Sequence, residues 1–172
     1  MRRWLLPIGA GALAAVTAWY ATLAATPYAL MRVAIARLGQ EGRVNAFVHG
    51  PPTRAERQPV VRPSPDLLYS ICVFDLTDGP VLVDVAPIPG HYWSVSVFDA
   101  RTDVAAVRSD RDTGGGPARL ALTARAQSAP AGYEPVALDH ARGIAVIRVL
   151  VSGEDDYHAV DPLRQQASCR SS

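Results

Sequence analysis

The sequence predicts an all-β domain, either an antiparallel β-sandwich or an open barrel, with an N-terminal transmembrane helix and short C-terminal helices. Residues 4–31 carry no charged side chain, and a helix of about 20 apolar residues crosses a bilayer core. Residues 68–151 hold short apolar runs separated by turn sequences, without alternating long helices, as in sandwiches and barrels. We therefore predict a membrane anchor with a juxtamembrane helix at 1–42 and a β-rich domain at 43–172.

The N-terminal run is predicted to be an uncleaved signal anchor. Arg2 and Arg3 precede it, as in a secretory signal, but the apolar core of a signal peptide is only about 7–15 residues long. A cleaved signal, for which residues 21–25 supply small side chains, and a buried helix of a soluble protein are the alternatives. Because an arginine pair before an apolar run is typical of export, we predict a single-pass protein of the bacterial inner membrane with a periplasmic domain.

The predicted strands follow in quick order after a proline-rich, extended segment at 50–65. Residues 68–76 are apolar on both faces, as in a central strand, and the sequence TDGP at 77–80 is typical of a turn. Residues 92–99 alternate between apolar side chains and serines, so one side of this strand is predicted to be buried. Further strands are predicted at 81–86, 119–123, 134–138 and 144–151, with a glycine-rich loop at 110–117.

The C-terminal part is predicted to form two short helices. Residues 154–156 are acidic, as a first helical turn prefers, and Asp161 before Pro162 is typical of a second N-cap. Cys72 lies in an apolar strand, whereas Cys169 lies in a polar tail that we expect to fray. We therefore predict that the two cysteines do not pair.

The composition and motifs exclude several classes of function. All the basic residues are arginine and the net charge is +1. Nucleic-acid-binding proteins carry a clustered basic face, so no nucleic-acid partner is predicted. The sequence has no G-x-S-x-G, P-loop or H-E-x-x-H motif, and its histidines are not spaced as zinc ligands. We predict no catalytic residue, no metal and no cofactor.

Two polar residues stand in predicted strands. Ser70 shares a strand face with Leu68 and Cys72, which indicates a buried structural serine and not a nucleophile. Arg148 faces the same way as apolar neighbours in the last strong strand, and an unpaired buried guanidinium is costly. We predict a structural ion pair; a pocket for an anionic ligand and exposure at a sheet edge are the alternatives. The candidate partners of Arg148 are Asp66, Asp75, Asp84 and Asp99.

Four segments of the chain resemble the family called domain of unknown function 1254. They read RVNAFVHGPP, VVRPSPDLLYSICVFDLTDGPVLVDV, PGHYWSVSVFDARTDV and IAVIRVLVSGEDDYHAVDPLRQQ, and together they cover roughly residues 43 to 167. The resemblance implies a β-rich, sandwich-like domain that is often exported, here in the short membrane-anchored bacterial form. Longer members continue into a domain of unknown function 1214. The resemblance implies no activity.

Two functions are predicted from these observations. The first is a membrane-tethered envelope domain that binds a partner protein or a small ligand; the partner is a second envelope protein that supplies a 1214-type domain. The second is an envelope enzyme with a pocket around Arg62, Asp66, Tyr69 and Arg148. The predicted binding residues are Asn45, His49, Arg62, Asp66, Tyr69 and Arg148. An exposed sheet surface for the partner is expected at 120–122 and at Val136.

Overall fold

A computed structural model describes residues 2–39, 43–52, 63–125 and 127–172 of the chain. Its strands form two sheets, a larger one in the order β1-β2-β8-β4-β5 and a smaller one in the order β7-β6-β3-β9. The predicted all-β, sandwich-like fold is confirmed. The elements are α1 (Arg2–Leu38), β1 (Phe47–His49), β2 (Leu67–Asp75), β3 (Val81–Val85), β4 (Trp93–Phe98), β5 (Val104–Ser109), β6 (Ala118–Ala124), β7 (Glu134–Leu138), β8 (Arg142–Leu150), α2 (Glu154–Arg164) and β9 (Ser168–Ser171).

The core lies between the inner faces of the two sheets. Along β4 the side chains of Trp93, Val95 and Val97 are buried in it, as the alternating pattern predicts. Ser94 and Ser96 therefore lie on the outer face of the larger sheet. Neighbouring strands among the described residues run antiparallel, except β6 and β7, which are parallel.

The C-terminal helix is a single element, so the prediction of two short helices is wrong. Pro162 lies inside the last turn of α2, where its missing N–H removes only one helical hydrogen bond. Asp161 does not start a second helix. Its carboxylate instead accepts hydrogen bonds from Arg164 and Gln165.

Cys72 and Cys169 form a disulfide, so the prediction of unpaired cysteines is wrong. The tail does not fray because β9 pairs with β3, which places Cys169 opposite Val83. Both cysteines are buried in the main core. Since Cys72 lies in the larger sheet and Cys169 in the smaller one, the disulfide crosses the core and joins the two sheets.

Helix α1 packs its C-terminal third against the outer face of the larger sheet. Met31 is 5% exposed and forms a second, smaller core with Val73 and Ile144. Residues 4–38 make the helix long and apolar enough to cross a membrane, and its N-terminal part is exposed along its length. The helix ends at Leu38, just before Gly39.

A polar contact fixes α1 at one end of the sandwich. The Tyr28 hydroxyl lies 3.3 Å from Nε2 of His140, in the turn between β7 and β8. Nδ1 of His140 lies 3.4 Å from Oδ2 of Asp99, without hydrogen-bonding geometry. We call this end of the sandwich the α1 end. It holds the turns at 76–80, 99–103 and 139–141.

Candidate functional site

Four polar side chains meet inside the sandwich between β1, β2 and α2. His49 and Ser70 are opposite each other in the ladder of β1 and β2, so their side chains share the inner face. Nδ1 of His49 lies 2.8 Å from Oγ of Ser70. Ser70 is 0% exposed, as its strand face predicts. With Asp161 and Arg164 from α2, these residues form what we call the buried cluster.

Arg164 carries the positive charge of the buried cluster, although it is only 2% exposed. Its Nη1 donates to the carbonyl oxygen of Tyr69 at 2.7 Å and to Oγ of Ser70 at 3.3 Å. Its Nη2 donates to the carbonyl oxygen of Gly50 at 3.0 Å, and its Nε donates to the Asp161 carboxylate at 3.1 Å. Each nitrogen of the guanidinium therefore has a partner, which a buried charge requires.

The electrostatics of the cluster keep His49 neutral. Burial and then the positive charge of Arg164 lower the pKa of His49, against a smaller opposing effect of Asp161. Since Arg164 already donates to Oγ of Ser70, the serine hydroxyl hydrogen is free to point at Nδ1 of His49. A neutral imidazole can accept that hydrogen bond.

A serine hydroxyl next to a neutral imidazole is the pairing that a nucleophilic serine needs. Ser70, however, has no exposed surface that a substrate could reach. A hydrogen bond donated by Arg164 also withdraws electron density from the same oxygen. The buried cluster therefore has a structural role, because its hydrogen bonds hold α2 to β1 and β2.

The outer face of the larger sheet carries a second group of residues. Tyr69 of β2 and Arg148 of β8 are direct cross-strand neighbours, and Arg148 is in turn opposite Ser94 of β4. Tyr92, Val107 and Leu150 surround them and are 40%, 44% and 45% exposed. We call the five residues Tyr69, Tyr92, Val107, Arg148 and Leu150 the outer patch.

The predicted ion pair of Arg148 with one of four aspartates is wrong. Its Nη1 donates to Oγ of Ser96 at 3.1 Å, and its guanidinium carbon lies 6.0 Å from the centre of the Phe98 ring. Arg148 is half-buried, because α1 covers only part of this face. Three of the four aspartates have other partners among the described residues: Asp75 binds Arg142, Asp84 binds Arg170, and Asp99 accepts backbone N–H groups of its own turn.

The other predicted binding residues do not gather at one point. Asn45 clamps the edge of the domain: its side chain bonds both backbone groups of Asp75 and reaches Ser171. Asp66 is exposed just before β2, and its backbone carbonyl accepts the N–H of Val151. Arg62 lies outside the described residues.

A polar group on the smaller sheet was not predicted. The Asp84 carboxylate accepts hydrogen bonds from Tyr133 at 3.0 Å and Ser168 at 3.2 Å, and it pairs with Arg170. An open cleft of about 390 Å³ lies beside Asp84 and is bordered by Arg119 and Gln166. Within the described part of the chain, no three His, Cys, Asp or Glu side chains are placed to hold a metal ion.

The expected surface for a partner at 120–122 and Val136 is also wrong. Leu120 and Leu122 of β6 and Val136 of β7 are buried in the main core, because these side chains point inward from the smaller sheet. Exposed apolar side chains are found instead on the larger sheet, where they include Val107 and Leu150 of the outer patch.

The contact of His91 with Asp156 makes the stability of the first turn of α2 depend on pH. Nε2 of His91 lies 2.6 Å from Oδ1 of Asp156, whose other oxygen accepts the Ser152 N–H. The hydrogen bond to Asp156 raises the pKa of His91, and the bonds from Ser152 and His91 lower the pKa of Asp156. The contribution of His91 to stability is therefore present below its unfolded-state pKa and lost as pH rises through its folded-state pKa.

We expect a His91→Asn variant to show this pH dependence as a difference from wild type. The difference in free energy of unfolding should be largest near pH ~5.5 and should shrink towards pH ~8, since only protonated His91 forms the ion pair. Denaturant melts at several pH values measure it. The pKa of His49 is lowered, so the effect of His49→Asn on stability should change with pH in the opposite direction, and this variant is the control. A difference that stays constant with pH for His91→Asn would contradict the assignment.

Arg164 is the functional-site residue that the sequence reasoning missed. Val160 and Arg164 are four residues apart and are the buried residues of α2, so they lie on one helix face. An aspartate three residues before the arginine was the available signal, since that spacing suits an ion pair within a helix. The prediction of a second helix at Asp161 placed Val160 and Arg164 in different helices, so their common face was not recognised.

Comparisons with known proteins agree with the fold. The family described as "Protein of unknown function (DUF1254)" matches residues 44–171. The crystal structure of the VPA0106 protein from Vibrio parahaemolyticus is similar, with a TM-score of 0.71 and 18% identity over 88% of this chain. This chain spans only 37% of that protein. A putative uncharacterised protein from Burkholderia cenocepacia gives a TM-score of 0.49 and 15% identity over 76% of this chain and 35% of its own. No curated protein matches the sequence.

Proposed function

We infer, from the premise that this chain belongs to the DUF1254 family of proteins of unknown function, that it is a membrane-tethered domain that binds a second envelope protein. In this proposal α1 anchors the chain in the bacterial inner membrane and the sandwich stands in the periplasm. The observation that carries the binding role is the outer patch, which presents two aromatic rings, an arginine and two aliphatic side chains on the face of the larger sheet that α1 covers only in part.

The proposed membrane anchor is supported by the hydrogen bonds of the polar side chains in α1. Lipid offers no hydrogen-bonding partner, so a polar side chain that faces lipid must bond within its own helix. Thr17, Thr22 and Thr26 each donate to the carbonyl oxygen four residues earlier, at 2.9, 2.8 and 2.7 Å. These bonds run along the exposed part of the helix that is long enough to cross a bilayer.

The periplasmic side is supported by the disulfide. The bond between Cys72 and Cys169 joins the two sheets through the core. Disulfides form and persist in oxidising compartments and are rare in the cytosol. A domain that relies on such a bond is suited to the periplasm, with the N-terminus of α1 in the cytoplasm.

The outer patch has the composition of a binding surface. Tyrosine and arginine are enriched among the residues that dominate protein interfaces. Tyr92, Val107 and Leu150 offer partly exposed apolar surface around the half-buried Arg148. Among the described residues of this face, Ser109 donates a hydrogen bond to the Asp112 carboxylate but is buried, which favours binding over hydrolytic chemistry.

The proposed partner is a second envelope protein with a 1214-type domain. The part of the Vibrio protein that resembles this chain is a minority of its length, so that protein carries further structure next to a domain of this fold. A partner anchored in the same bilayer would have a raised effective concentration, so a small interface would be sufficient. The outer patch lies on the sheet that α1 covers, on the side open to such a neighbour.

Photocrosslinking in intact cells tests this proposal. A photoreactive residue at Val107 should give one dominant adduct with another protein, because Val107 lies in the outer patch. The same residue at Ala159, exposed on α2, is the matched control and should give little of that adduct. Adducts only between copies of this chain, or equal adducts at both positions, would contradict the proposal.

Alkaline phosphatase fused after Ser172 serves as the control for sidedness in the same cells. This enzyme needs an oxidising compartment to form its own disulfides. Activity in the membrane fraction is the expected result. Activity only in the soluble fraction would show that α1 is cleaved, and an inactive fusion would place the domain in the cytoplasm.

A further inference from the structure

We propose that the α1 end of the sandwich is seated in the phospholipid headgroup layer, so that the lipid surface is a binding partner of its three turns. This inference rests on the proposed membrane anchor. It follows from the way α1 is joined to the domain, because one helix runs from its exposed part into its contact with the sheet, with Pro27 just before the contact begins.

The length of α1 places its contact with the domain at the membrane surface. A helix rises 1.5 Å per residue, so about 36 Å separate Trp4 from Tyr28. The hydrocarbon core is about 30 Å thick, and each headgroup layer adds about 5–7 Å. With Trp4 at one interface, where tryptophan concentrates in membrane proteins, Tyr28 lies in the opposite headgroup layer.

His140 of the domain is therefore held at the same depth as Tyr28. The Tyr28 hydroxyl is 3.3 Å from Nε2 of His140, and the two rings meet edge to face with centres 5.5 Å apart. One turn further along α1, Met31 is buried against β2 and β8. These two contacts hold the domain to the part of α1 that follows Pro27.

The chemistry of the α1 end suits phospholipid headgroups. Arg101, Arg125 and Arg142 have guanidinium groups at this end, and their side chains are 55%, 79% and 67% exposed. Arginine binds phosphate through two parallel hydrogen bonds. Each arginine pairs with an aspartate at the same end, namely Asp103, Asp139 and Asp75, so this surface carries both signs of charge, as a zwitterionic headgroup layer does. Val104, at the same end, adds an exposed apolar side chain.

The opposite end of the sandwich lies away from the membrane. Strand β8 runs from the α1 end at Arg142 to the far end at Leu150, and nine residues of strand span about 30 Å. Helix α2 begins just beyond that point, at Glu154. Asp78 in the turn at 76–80 and Asp155 in α2 are both exposed aspartates. A probe can therefore replace the same type of residue at each end of the sandwich.

Fluorescence quenching in vesicles tests the seating. The full chain, with a fluorescent amino acid at Asp78 or at Asp155, is reconstituted into phosphatidylcholine vesicles containing a headgroup spin-labelled lipid. Several-fold stronger quenching is expected at position 78 than at position 155. Equal quenching at the two positions, in protein that floats with the vesicles, would overturn the seating and leave the anchor intact.

A charge placed on α1 provides the second arm of the test. Met31→Asp buries a charge between α1 and the sheet, so it should release the domain and reduce the quenching at position 78. Leu30→Asp adds the same charge one residue away on an exposed side of α1 and should leave the quenching unchanged. An equal response to both would contradict seating through the α1 contact. Protein that fails to float with the vesicles would instead contradict the membrane anchor itself.

Discussion

Replacing Arg164 by methionine is expected to lower the free energy of unfolding by about 3–5 kcal/mol, the usual cost of breaking a buried ion pair by removing one partner. Methionine keeps much of the side-chain stem and loses the guanidinium. The Asp161 carboxylate and the carbonyl oxygen of Gly50 would lose charged hydrogen bonds from Arg164. Helix α2 would lose its polar attachment to β1 and β2.

Arg148→Met is the matched control, since it removes the same group from a half-buried position outside the buried cluster. Arg148 has one hydrogen bond to Ser96 and a distant contact with the Phe98 ring. Its replacement should cost about 1 kcal/mol or less. Urea melts of the two variants measure both values, and equal losses would show that the buried cluster is not a special point of attachment.

Loss of the disulfide is expected to lower the free energy of unfolding by about 2–5 kcal/mol, as for native disulfides in other small domains. Cys72 and Cys169 are separated by 97 residues of sequence. In the chain-entropy account, a cross-link over so long a loop restricts the unfolded state strongly. Since both sulfur atoms lie in the main core, the replacement Cys72→Ala with Cys169→Ala also leaves a small gap there.

The measurement compares denaturant melts of the oxidised wild type, the double alanine variant and wild type kept in a strong reductant. The double variant should be destabilised equally with and without reductant, which separates the cross-link from other effects of the reagent. Reduced wild type should resemble it. If the double variant were as stable as oxidised wild type, the disulfide would be dispensable and the argument from it to an oxidising compartment would weaken.

The sequence predicted the inner strands well and missed three of the four edge strands among the described residues. Strands β2, β3, β4 and β8 have apolar or alternating patterns because one or both of their faces are buried. The strands that were missed, β1, β5 and β9, all lie at the edge of a sheet. An edge strand pairs on one side only, and β9 is the polar sequence SCRS, so its strand state depends on β3 and not on its own residues.

The prediction for Arg148 also failed because a sequence pattern does not show which distant segments contact a residue. The period-two pattern correctly placed Arg148 on the face of Ile144 and Val146, and the serine of the buried cluster on the inner face. It could not show that α1 covers only part of that outer face. It also could not bring Arg164 to Ser70, because that contact joins residues 94 positions apart.

Closure of the smaller sheet by β9 sets when the domain can fold during its synthesis. In the proposed periplasmic location, Cys72 would leave the translocon long before Cys169, and β2 would wait for both β8 and the disulfide partner. Pairings between distant segments form slowly, and unpaired strand edges are prone to aggregation in the meantime. We therefore expect the exported domain to depend on periplasmic chaperones and an oxidase until residue 171 has crossed the membrane.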